Sequence, residues 1–344
     1  MAGLLLDTLR GVNSDQRPIW MMRQAGRYLP EYRALRAAKG GFLALVYDPA
    51  AATEITLQPI RRFGFDGAIL FSDILIVPHA MGQDLAFLAG EGPHLSPRLV
   101  DHALQGLQAV PERLLPIYET VRQVSAGLGA GRTLLGFAGS PWTVATYMVA
   151  GEGSRDQADA RTMAYSDAQA FRAIIQGIVE VTVDYLSGQI RAGAEAVQLF
   201  DSWAGSLAPA EFERWVIAPT AEITARIHAR HPGVPVIGFP KGAGEKLPAY
   251  ARETGVDALG LDEAIDPVWA AKALPERLPV QGNLDPLLLL AGGAELEAQA
   301  NRVLEAFADR PHVFNLGHGI GQFTPIEHVE QLLAVVRAWN GSSR

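Results

Sequence analysis

The sequence predicts an α/β protein, a (β/α)8 barrel forming a single domain over residues 1–344, with long insertions after the first and second strands. Three observations lead there. Short apolar runs alternate with longer amphipathic stretches along most of the chain, the pattern of parallel βα units. There are eight such runs. Polar residues gather immediately after the runs, at the strand carboxyl ends where barrels of this kind keep their chemistry.

In chain order the predicted strands are Ile19–Met22, Ala68–Phe71, Leu134–Ala138, Ala196–Phe200, Val234–Phe239, Ala258–Leu261, Pro279–Gly282 and Val313–Leu316, each bounded by turn or polar residues. Helices between them carry recognisable starts: Pro49 after Asp48, Pro209 opening a long amphipathic run, and Pro325 after Thr324. Proline suits a first helical turn, where its missing N–H costs nothing. A barrel needs about 250 residues, so roughly 90 are surplus. The connections from Tyr28 to Phe65 and from Ile74 to Arg132 absorb them; the second holds the Gly/Pro-rich stretch Gly82–Pro97 and a helix from about Pro111. No internal repeat or low-complexity segment interrupts the pattern.

Composition narrows the function. With 49% hydrophobic and 19% charged residues the chain buries a large core. No apolar run approaches the roughly 20 residues of a spanning helix, so no membrane partner is expected. The start MAGLLLDTLRG has neither a basic leader nor a small-residue cleavage site and reads as that of a cytoplasmic protein. There are no cysteines, which excludes thiolate zinc sites, iron–sulfur clusters and cysteine nucleophiles. A net charge of -8 without any Lys/Arg block argues against nucleic acid. An anionic small molecule therefore needs a local basic pocket.

The residues after each run supply one. Arg23, Gln24 and Arg27 follow the first, Ser72 and Asp73 the second, Ser140 and then Tyr147 the third, Asp201 and Ser202 the fourth. Lys241, Asp262, Asn283 with Asp285, and Asn315 with His318 follow the rest. Asp201, Asp262, Asn283 and Asp285 are each explained by capping the next helix. Arg23 and Arg27, flanking Ala25-Gly26 beside a strand, demand an anionic partner or solvent.

At these residues the chain closely resembles the uroporphyrinogen decarboxylase family, through RPIWMMRQAGRYLPEYRALR, FSDILIVPHAMG, GFAGSPWTVATYM, QLFDSWAG, FNLGHGI and TPIEHV in that order. Several separated segments in the expected order are far more specific than one short motif. The resemblance implies a cytoplasmic homodimeric barrel that removes carbon dioxide from the four acetate side chains of uroporphyrinogen III, giving coproporphyrinogen III in porphyrin and heme synthesis. It implies substrate contacts at Arg23, Gln24, Ala25, Gly26, Arg27, Arg36, Asp73, Tyr147, Ser202 and His318, with Asp73, Arg23, Tyr147 and His318 taking part in the reaction. Neither cofactor nor metal is implied.

The chemistry suits these residue types. Guanidinium forks match the carboxylates of a polyanion, and contact hydrogen bonds of roughly 1.5–3 kcal/mol outweigh a net charge screened beyond about 8 Å. Decarboxylation needs an electron sink, and a protonated pyrrole is one, so no pyridoxal or thiamine group is required. Asp73 accepts N–H bonds and stabilises the cation that forms. Tyr147 and Ser202 offer neutral hydrogen bonds, and His318 binds a carboxylate or moves a proton. The proton donor stays unassigned, because an arginine with a pKa above about 12 is a poor acid.

Three rival readings share these features. A corrinoid methyltransferase of related fold wants a zinc thiolate, which a chain without cysteine lacks. A Schiff-base aldolase would use Lys241 as nucleophile. A non-catalytic tetrapyrrole carrier would keep the arginines but has no use for Asp73 and Tyr147.

Overall fold

Apolar runs bounded by turns form the strands. The computed structural model describes residues 3–88 and 92–341. Its strands are β1 (Gly67–Ile69), β2 (Asp84–Leu88), β3 (Gly92–Ser96), β4 (Thr133–Gly139), β5 (Ala196–Asp201), β6 (Val236–Pro240), β7 (Ala258–Gly260), β8 (Val280–Leu284) and β9 (His312–Leu316). Seven of them make one curled parallel sheet in the order β1-β4-β5-β6-β7-β8-β9, with helices on its outer face. Parallel strands joined through helices are buried on both faces, which is why these runs are continuously apolar.

The first predicted strand is only partly regular. Ile19 bridges Phe314 in parallel, Trp20 donates to the Phe314 carbonyl at 3.4 Å and Phe314 donates to Pro18 at 2.8 Å. On its other side Asp66 N–H donates to Ile19 O at 3.0 Å. The segment thus lies between β9 and the entry to β1. Inside the sheet's curve, Trp20 Nε1 donates to Gln281 Oε1 (2.9 Å) and Gln281 Nε2 to Gln198 Oε1 (3.0 Å), a fully buried polar chain linking this segment, β8 and β5.

Helix starts follow local chemistry. Asp48, Asp266 and Asp285 each precede a proline and accept a backbone N–H two or three residues on, so carboxylate cap and first-turn proline act together. Between Tyr28 and Phe65 stand helices Pro30–Lys39, Phe42–Val46 and Pro49–Phe63. After β1 come helix Ile76–Ala80, the antiparallel hairpin β2-β3 and helix Leu115–Gly127, preceded by a 3-10 turn at Pro111–Leu114. The hairpin went unread in the sequence because Gly82–Pro97 offers punctuation but little alternation; residues 89–91 of that stretch lie outside the described residues. It is tied to the end of helix Pro141–Ala150 by Leu95 N–H to Gly151 O at 2.6 Å, and just beyond the hairpin Leu99 N–H donates to Met148 O at 2.9 Å. Among the described residues no helix is long and apolar enough to cross a membrane.

Candidate active site

The site is assembled from strand ends, and its first piece is the loop after Ile19–Met22. Gln24, predicted to contact substrate, is fully buried and spent inside the protein: its Oε1 accepts Met21 N–H (3.1 Å) and its Nε2 donates to Gly67 O (3.0 Å). With Gln24 N–H on Met21 O at 3.0 Å, this lock turns the chain so sharply that Arg23 takes φ 60, a left-handed conformation that costs a non-glycine about 1–2 kcal/mol. The strain throws the Arg23 side chain outward, where its guanidinium makes no hydrogen bond within the protein among the described residues. The N–H groups of Ala25, Gly26 and Arg27 likewise have no acceptor there. Ala25 and Gly26 therefore offer backbone donors.

Residues almost 300 positions away complete this loop. Asn315 Oδ1 accepts Met22 N–H at 3.0 Å and Leu316 N–H at 2.7 Å, and Ile320 N–H donates to Met22 O at 2.9 Å. The two glycines around His318 are forced by close approach. A Cβ on Gly317 would fall 2.6 Å from Glu263 Cα, and one on Gly319 would fall 2.7 Å from Arg23 Cγ. His318 thus stands beside Arg23.

Asp73 follows β1. Its Oδ1 accepts Leu75 N–H at 2.8 Å, which ties it into a turn. It keeps part of its surface open while protein crowds round it, the position of a group on the floor of a cleft. Burial raises its pKa to about 6, against the opposing pull of Leu75 N–H and the Arg23 charge. Burial, with help from Arg23 and Lys241, lowers His318 to about 4, so a neutral imidazole faces the cleft at pH 7. Burial raises Tyr147; the Trp203 side chain pulls the other way, and Asp73 and Arg23 act on it too. Arg23 thus acts on Asp73, Tyr147 and His318 alike, and Asp73 acts on Tyr147.

Arg27 and Arg36 form a second group. Both charges act on Tyr32, and Tyr32 packs edge-on against Phe71 with ring centres 5.9 Å apart, two residues before Asp73. Ser202 sits at the end of β5, half-buried, next to Trp203. Lys241 Nζ lies 3.6 Å from Glu263 Oε1, facing the same mouth. A cavity of about 270 Å³ adjoins Glu263, but its Asp266 and Asp285 cap helices and Asp266 also pairs with Arg302, leaving no cationic bed for a polyanion. No group of three or more His, Cys, Asp or Glu is placed to hold a metal among the described residues.

The family model for uroporphyrinogen decarboxylase matches residues 2–339. The chain belongs to the uroporphyrinogen decarboxylase family. Relatives named uroporphyrinogen decarboxylase include that of Novosphingobium aromaticivorans, 75% identical over 99% of this chain and 100% of its own, and that of Rhizorhabdus wittichii, 72% identical over 97% of each. A solved methyltransferase from Methanosarcina mazei covers 96% of both chains with a TM-score of 0.80 at 18% identity, which speaks to fold alone. Membership across nearly the whole chain makes this uroporphyrinogen decarboxylase relative a carboxy-lyase of porphyrin and heme synthesis.

Capping explains only some of the strand-end acids. Asp285 caps Leu287 N–H, and Asp262 receives Gly242 and Ala264 N–H. Asp201, Asp262 and Asn283 depart from that expectation, and the helix after Asp262 is capped by Asp266 instead. Asn283 donates to the Asp262 and Ile265 carbonyls, and Asp201 accepts from Thr143 Oγ1, because the chain leaves β5 and β8 without offering either side chain a free helix N–H. Thr143, Trp203 and Asn315 do the bracing, and no role was expected for Thr143 or Trp203. Their signal was position: Thr143 lies one helical turn before Tyr147, and Trp203 directly follows Ser202.

Proposed function

We propose that the cleft binds uroporphyrinogen III and takes carbon dioxide from its four acetates, leaving methyl groups and coproporphyrinogen III. The observation that carries this reading is the convergence of unpaired guanidinium, at Arg23, with a carboxyl group, at Asp73, in one partly open cleft. Arg23, Arg27 and Arg36, with the free N–H groups of Ala25 and Gly26, engage the substrate carboxylates; Gln24 acts only by holding the loop. Asp73, ionised at neutral pH, accepts the pyrrole N–H groups. A proton added to the pyrrole ring makes a cation, which Asp73 stabilises. The acetate C–C bond to the carboxylate then breaks, its electron pair neutralises that cation as carbon dioxide leaves, and protonation of the resulting methylene with loss of the ring proton gives the methyl group. Each cycle consumes one proton. Ser202 and Tyr147 hydrogen-bond the reacting carboxylate, and His318, neutral in the free cleft, accepts or relays a proton. The protonated pyrrole receives the electrons, so the scheme calls for no cofactor.

Two architectural readings go with it. The Pro18–Trp20 segment, hydrogen-bonded towards both β9 and β1, is taken as the eighth strand of a closed (β/α)8 barrel, one domain over 1–344 with its long insertions after the first two strands. The enzyme works as a homodimer, and light scattering on a sizing column is expected to give twice 36.9 kDa; a monomer at micromolar concentration overturns that. The function is tested by anaerobic incubation with uroporphyrinogen, oxidation and separation of porphyrins by carboxylate number. Four-carboxylate product is expected, and unchanged eight-carboxylate porphyrin refutes it.

A further inference from the structure

We infer that Thr143 and Asp201 are positioning residues, a buried pair that sets the spacing between Ser202 and Tyr147. The inference rests on the reading that places those two side chains at the substrate. Asp201 ends β5, is 1% exposed and caps no helix. Its Oδ1 lies 2.5 Å from Thr143 Oγ1, and its Oδ2 is enclosed without a hydrogen-bond partner among the described residues. A buried carboxyl group so sparsely paired is a costly feature for a fold. Burial holds it up to about 7, and Oδ1 is an acceptor both in the ionised group and in the acid that carries its proton on Oδ2.

The purpose follows from hydrogen counting. Thr143 Oγ1 accepts Trp203 N–H at 3.0 Å. A hydroxyl has one hydrogen, and Asp201 takes it, which leaves the lone pairs aimed at Trp203. Trp203 is fixed at its other end too, since its carbonyl accepts Trp142 Nε1 at 3.1 Å and Ser206 Oγ at 2.8 Å. Ser202 therefore sits between two clamped neighbours. The Trp203 side chain also acts on Tyr147, pulling its pKa down against the effect of burial, and Tyr147 stands one turn beyond Thr143 on the same helix face. Strand β5 and helix Pro141–Ala150 are stitched together at the point where each presents a group to the cleft.

The test uses the full-length enzyme and the four-step character of the reaction. Loss of folded enzyme scales every step alike, whereas a misplaced Ser202 or Tyr147 changes how well partly decarboxylated intermediates are held. Thr143→Val keeps the volume and removes the hydroxyl; it is expected to raise the released seven- to five-carboxylate intermediates by up to about a hundredfold at equal turnover, as a group displaced by an ångström would. Thr143→Ser restores the wild-type pattern. Should the valine variant not fold, Thr143→Ala is read in its place. Ser202→Ala and Tyr147→Phe run alongside. A shift in Thr143→Val that matches either of them, with rescue by serine, supports the inference. A wild-type intermediate pattern in Thr143→Val while Ser202→Ala or Tyr147→Phe alters it overturns the positioning role and leaves the site intact. Wild-type behaviour of both Ser202→Ala and Tyr147→Phe removes the site reading itself, and the inference with it.

Discussion

Gly319→Ala adds one carbon beside the side chain that the site depends on most. The new Cβ would stand 2.7 Å from Arg23 Cγ and 2.9 Å from Arg23 Nε, inside any real contact distance, so Arg23 must swing away. The backbone at 319 has no positive φ, and Arg23 is exposed, so the fold tolerates the change; a loss of under about 1 kcal/mol is expected, as for an ordinary surface substitution. Catalysis is not so tolerant. Charged hydrogen bonds to a carboxylate contribute roughly 1.5–3 kcal/mol, which at about 1.4 kcal/mol per decade is roughly a 10- to 150-fold drop in kcat/KM. Initial rates from porphyrin separation, beside thermal melts of the same preparation, read both quantities. Unchanged kcat/KM in a folded Gly319→Ala enzyme would refute the claim that Arg23 grips the substrate from this place.

Acid should slow the free enzyme before it unfolds it: kcat/KM is expected to fall about tenfold per unit below pH 6 as Asp73 gains its proton, and a limb nearer 4 would mean that another group controls it. Asn315→Ala strands the Met22 and Leu316 N–H groups, so a stability loss on the order of 1–3 kcal/mol for each is expected in urea titration, together with slower turnover; an unaffected midpoint contradicts the bracing role. Asp73→Asn should gain stability at pH 7. The folded pKa of Asp73 lies above the usual carboxyl value, so the wild type has its full stability below about 4 and loses some as pH rises through 6, whereas asparagine does not titrate. The melting difference should therefore shrink towards pH 4, and a constant difference would argue against a raised pKa.

Much of the architecture was legible because strands buried on both faces must be apolar along their length, and seven of the eight predicted runs coincide with β1 and β4 to β9. The run at Ile19–Met22 was visible by the same rule, yet it pairs irregularly, since its polar edges go to side chains such as Asp66 and Asn315. The β2-β3 hairpin was not legible, because its partner across the fold, Gly151, lies far along the chain. In the site, side chains with unspent charge announced themselves. Gln24 reads from sequence as one more polar group of a binding loop, and only its bonds to Met21 and Gly67 reveal a lock. Asp201 looked like a cap for the same reason: a side chain does not disclose its partner, here Thr143, until the strands are laid side by side.

The account stands on Asp73 as the anion that meets the pyrrole cation. The direct measurement is kcat for Asp73→Asn with uroporphyrinogen under anaerobic conditions, in protein shown to be folded by its melt. A fall of about 10²–10³ is predicted, the usual consequence of deleting a preorganised electrostatic partner of the transition state. Turnover within a factor of about three of wild type, a difference of only ~0.6 kcal/mol, would contradict it.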